Sequence, residues 1–93
     1  MNPEISGVYV FHGTGAQFAA AVYKSVAQAS ADIERHRLSG LLTWYPLGST
    51  VYDYAVEQGF FRPREYSDGK FIQSFTSAAL DHHHFENGRI AGE

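Results

Sequence analysis

The sequence predicts a two-layer α+β fold, with a mainly antiparallel sheet of 4-5 strands and two helices packed on one face. Three observations carry this. Two apolar runs, Ile5–Phe11 and Phe18–Lys24, flank the Gly-rich connection His12-Gly13-Thr14-Gly15, as the arms of a hairpin do. Two later stretches open on hydroxyl residues, Ser25 and Thr50, that cap helices. Between them lies an aliphatic and aromatic run, Leu41–Tyr45, stopped by Pro46. The order strand, strand, helix, strand, helix, then one or two strands leaves the helices on one side of the sheet.

Met1–Pro3 is expected to be loose. In Ile5–Phe11, Val8 and Val10 point one way and Tyr9 and Phe11 the other, and apolar residues on both faces mark a central strand. The Gly-x-Gly that follows reads GTGAQF, without a third Gly or a Gly-Lys-Ser/Thr, so it is a hairpin connection and not a phosphate loop. Ser25-Val26-Ala27-Gln28 is a capping box for a helix to about Leu38. Val26, Ala29, Ile33 and Arg37 share its inward face, while Asp32, Glu34, Arg35 and His36 are solvated.

Ser39-Gly40 is expected to close that helix, with Gly40 in the left-handed backbone of a helix end. Gly48-Ser49-Thr50 is a turn and N-cap, with Asp53 as the acidic half of a capping box. The helix Val51–Gln58 then ends at Gly59, and Phe60, Phe61 and Pro63 form an apolar plug. Trp44 is expected to be buried beneath the first helix or against that plug. Arg64–Lys70 is polar with a turn at Asp68-Gly69. Phe71–Ala79 fits either periodicity, and its Phe and Thr content favours a strand. His82–Glu86 is expected as a last strand, ended by Asn87-Gly88, with Arg89–Glu93 fraying.

The 93 residues predict one domain over 1–93. A net charge of −3 and seven scattered Lys and Arg argue against a nucleic-acid partner. The absence of cysteine removes disulfides and thiol chemistry. No leader or spanning segment is read, so a cytoplasmic protein without a membrane partner is expected. With 15% aromatic and only 18% charged residues, apolar surface remains for another protein.

Residues that could carry chemistry are few. His82, His84 and Glu86 share one face of their strand, and with His12 they resemble a metal-ligand set, so a small metal-dependent enzyme is one reading. The simpler reading is a polar face that titrates near neutral pH, with no metal and no cofactor. Ser74, Thr76, Ser77 and Asp81 lack any nucleophile-elbow context, so no catalytic residue is assigned. Asp53 and Glu57, four apart, read as a helix-start acid and a solvated residue. Trp44, Tyr45, Tyr52, Tyr54 and Tyr66 suit either a core or a contact patch. The partner-binding residues assigned are Trp44, Tyr45, Tyr54, His82, His84 and Glu86. A homodimer through an exposed edge strand at His82–Glu86 is the remaining alternative.

Taken together, VYVFHG (8–13), RHRLSG, LLT and YP within 35–46, VYDYAVEQGFFRP (51–63), and FIQSFTSA with HHHFENG within 71–88 form a set. The set resembles a family of small uncharacterised bacterial proteins carrying a domain of unknown function. The resemblance spans nearly the whole chain. It implies one self-contained domain and brings no catalytic residue. Size and acidity suggest an immunity protein or inhibitor that blocks a partner toxin or enzyme.

Overall fold

The computed structural model describes residues 6–65 and 67–91. Ile5, Tyr66 and the end of the tail lie outside them. Eight elements follow in order: β1 (Gly7–Gly13), β2 (Ala21–Tyr23), α1 (Val26–His36), β3 (Gly40–Pro46), α2 (Val51–Glu57), α3 (Gly69–Gln73), β4 (His82–Glu86) and β5 (Arg89–Ile90). The five strands form one antiparallel sheet in the order β2-β1-β3-β4-β5, which is the expected α+β fold.

Register decides which side chains meet. Tyr9 stands opposite Trp44 and Phe11 opposite Leu42, so these four share a face. That face carries α1 and α2. Ala29 and Ile33 of α1 are fully buried with Phe11, Tyr23, Leu42 and Phe85. Ala29 has almost no side chain, which lets α1 lie close on the sheet. Tyr54 of α2 packs on Trp44 and Leu80, and Tyr9 touches both clusters. Trp44 is 4% exposed. It lies under Tyr54 of α2 rather than beneath α1, and its link to the plug runs through Tyr54 to Phe60.

The caps largely follow the sequence. Ser25 Oγ accepts from the Gln28 amide and Thr50 Oγ1 from the Asp53 amide. Gly59 has φ 79 and ends α2 as expected. Gly40 does not end α1. Arg37 takes the left-handed position itself, at φ 55, and the Leu38 amide closes onto the Ile33 carbonyl. Arg37 is therefore a solvated cap and not part of the inward face. Gly40 instead opens β3, where a Cβ would fall 2.3 Å from the His12 carbonyl oxygen and 2.8 Å from the Gly13 Cα. The glycine is needed for close approach of two strands.

Four further expectations are corrected. Phe71–Ala79 is not a strand. Asp68 caps α3 by accepting from the Phe71 amide, and Phe71 and Phe75 pack on Tyr52 and Phe61. That aromatic packing outweighs the β-propensity of Phe and Thr. The Phe60-Phe61 pair is consequently split, Phe60 going to Tyr54 and Phe61 to α3. Arg89 and Ile90 do not fray. Asn87 at φ 51 and Gly88 at φ 88 form the Asn-Gly turn of a final hairpin, which pairs Phe85 with Ile90 and Glu86 with Arg89. His82–Glu86 is thus followed by another strand. The second strand is also shorter than Phe18–Lys24, and Phe18 is 75% exposed.

Candidate functional site

Alternation within the strands leaves a second sheet face with no helix on it. Val8 opposite Tyr45, Val10 opposite Thr43 and Val22, and His12 opposite Leu41 place these residues together. Leu41 opposite His84 and Thr43 opposite His82 extend the same face onto β4. Val22 is 62% exposed. Val8, Val10, Leu41 and Tyr45 are half-buried. The β3–β4 end is partly roofed by Thr76, Ser77 and Ala78, which leave a pocket of about 270 Å³ over Leu41, Thr43, Tyr45, His82 and His84. The β1–β2 end is an apolar strip.

The histidines sit at the polar end of this face. The His82 and His84 rings stand edge to face, 5.4 Å between centroids. His82 Nδ1 lies 2.8 Å from the Leu80 carbonyl oxygen, which can only accept, so that nitrogen donates. His12 is on the same face but beyond β3, roughly 10 Å from His84 by two strand spacings. Its Nε2 donates to the Ala16 carbonyl at 2.6 Å. Among the described residues no three His, Cys, Asp or Glu stand together as a metal-ligand group, so the four-residue set His12, His82, His84 and Glu86 is not assembled here. Glu86 is exposed and stands across from Arg89.

The six assigned partner residues fall on two surfaces. Tyr45, His82 and His84 line the pocket just described, and Glu86 continues their side of β4. Trp44 and Tyr54 belong to the helix face, where with Phe60, Ala79, Leu80 and Asp81 they line a cleft of about 430 Å³. Beside it, Tyr9 Oη donates to Asp81 Oδ2 at 2.7 Å, and His83 Nε2 lies 3.4 Å from the same oxygen. Partial burial, then the hydrogen bond and negative charge of Asp81, push the Tyr9 phenol up to about 12. On the other side of the sheet's helix layer, burial and Asp32 raise Tyr23, while Arg35 and Tyr23 hydrogen bonds lower Asp32.

Sequence reasoning missed the apolar half of the open face and the Tyr9–Asp81–His83 group. The signal for the first was present: two helices for a sheet apolar on both sides leave one side uncovered. The signal for the second was parity, since Asp81, His83 and Phe85 alternate onto the helix face. Among the described residues no helix is long and apolar enough to cross a membrane. No curated protein and no solved structure matches the chain. A family model, described as a domain of unknown function (DUF7710), matches residues 8–91, and the chain belongs to that family.

Proposed function

We propose that this chain is a non-enzymatic protein-binding module that presents its helix-free sheet face to a partner, as a bacterial, cytoplasmic immunity or inhibitor protein would. The observation that carries the reading is the strip Val8, Val10, Val22 and Leu41, contributed by three adjacent strands with no helix over it. A row of apolar side chains left partly open to solvent, with Val22 exposed at one end, is surface that a partner can cover. Tyr45, His82 and His84 add amphipathic and polar contacts beside it, the mixture that interfaces use. A standard interface takes about 800 Å² from each partner. That is a modest part of the 6560 Å² the chain exposes. The net charge of −3 favours encounter with a basic partner.

The test compares two baits, the wild-type chain and Val10→Glu/Leu41→Glu, in capture from the native host and in co-expression with the neighbouring gene product. Circular dichroism establishes that both baits are folded. The expected result is a protein retained by the wild type and lost with the variant. Identical captures from both baits, or none, count against the reading.

A further inference from the structure

We infer that Asn87 is a site of spontaneous modification gated by the fold. Its side-chain amide is lost to the Gly88 nitrogen when the β4–β5 turn lifts off α1, and the isoaspartate formed keeps the final hairpin from closing again. The inference does not rest on the proposed partner face. Asn87 is exposed, and the residue after it has no Cβ to shield its backbone nitrogen. Once free to turn, that nitrogen can reach the Asn87 Cγ and close a succinimide ring. A bond forms between the Gly88 nitrogen and Cγ, the Cγ–Nδ2 bond breaks, and ammonia leaves with the proton the nitrogen gives up. Water then opens the ring at either carbonyl, giving aspartate or isoaspartate.

In the closed structure the attacking nitrogen is held still. The Gly88 N–H donates to the Leu38 carbonyl at 2.8 Å, and the Asn87 N–H donates to Ser39 Oγ at 2.9 Å. Gly88 is also buried against the end of α1, where a Cβ would fall 3.1 Å from the Arg37 Cα and 3.2 Å from the Glu34 carbonyl oxygen. Ring closure takes the Gly88 nitrogen away from Leu38, so the rate follows the population of the opened turn. The product sets the direction. Isoaspartate runs the backbone through its own Cβ and so lengthens the link between the paired residues Glu86 and Arg89. The φ values of Asn87 and Gly88, 51 and 88, are those of a type I′ turn, which has no room for an added carbon. Aspartate keeps the normal backbone and tolerates the left-handed position as asparagine does. Its new carboxylate joins a cavity of about 470 Å³ that Arg37 and Arg89 line together with Glu34, so the aspartate product leaves the hairpin closed.

The test incubates the chain in mildly alkaline buffer, folded and in urea, and follows Asn87 by mass spectrometry of its peptide with an isoaspartate-specific methyl label. The expected result is amide-to-acid conversion at Asn87 in both, slower by about tenfold or more in the folded chain. Ser39→Ala, shown to be folded by circular dichroism, removes one anchor of the turn and should speed conversion about fivefold. Hydrogen exchange at the Gly88 amide should rise with it. The Ala91 N–H donates to the His84 carbonyl at 2.8 Å and reports the closed hairpin. The isoaspartate form, separated by chromatography, should lose protection at Ala91, whereas Asn87→Asp should keep it. No conversion at Asn87 in urea, equal rates folded and unfolded, Ser39→Ala converting no faster than the wild type, or an isoaspartate form that keeps Ala91 protected overturns the proposal.

Discussion

Replacing Gly40 with alanine tests the sheet at its centre. A Cβ there falls 2.3 Å from the His12 carbonyl oxygen, 2.8 Å from the Gly13 Cα and 2.9 Å from Phe11 Cζ. Two of these atoms are β1 backbone, paired with β3 along its length, so they cannot retreat without opening the ladder. Overpacking of this kind costs about 1–3 kcal/mol. The backbone at φ 158 adds about 1–3 kcal/mol for any side chain. Together these reach roughly 2–6 kcal/mol, against about 5–15 kcal/mol for a whole domain. Gly48→Ala is the control. Its φ is 83, but nothing lies within 4 Å of its Cβ, so only the backbone cost applies. Urea melts followed by circular dichroism give both values. If Gly40→Ala costs no more than Gly48→Ala, the close approach does not constrain the fold and the reasoning fails.

Trp44→Ala should cost about 3–5 kcal/mol, and the native Trp44 emission should lie well to the blue of the unfolded chain; coincident spectra would contradict its burial. Because the Tyr9 pKa is raised above the ordinary tyrosine value to about 12, its stabilising contribution is present below pH 10 and is lost as pH rises towards 12. Tyr9→Phe should therefore make the alkaline fall in stability between pH 10 and 12 shallower, and an unchanged profile would count against the Tyr9–Asp81 hydrogen bond. On the open face, the His82 and His84 rings stand 5.4 Å apart and line the pocket with Leu41 and Tyr45, so they are expected to touch the partner. The double variant His82→Ala/His84→Ala should retain less of the partner in capture, and retention equal to the wild type would show that the pair does not touch it.

Much of this fold was legible because its signals are local. Ser25, Thr50 and Gly59 do what a hydroxyl cap or a post-helix glycine does anywhere. The hairpin of β1 and β2 followed from two apolar runs around glycines. What was misread depends on contacts distant in sequence. Gly40 looks like a helix stop until β1 is placed beside it, and Phe71 and Phe75 look strand-like until Tyr52 and Phe61 surround them. The same reason split the assigned partner residues. Trp44 and Tyr45 are neighbours in sequence but point to opposite faces of β3, so one lines the aromatic cleft and the other the open face. Asp81 drew attention only as a companion of serines, because nothing local shows that Tyr9, far earlier in the chain, donates to it.

The most direct test of the protein-binding reading is amide and side-chain NMR of the labelled chain as the captured partner is added. The account predicts that shifts or broadening concentrate at Val8, Val10, Val22, Leu41, Tyr45, His82 and His84, while Glu34 and Arg35 on the outer side of α1 stay unchanged. Perturbations confined to α1, or spread evenly over the molecule, would contradict it.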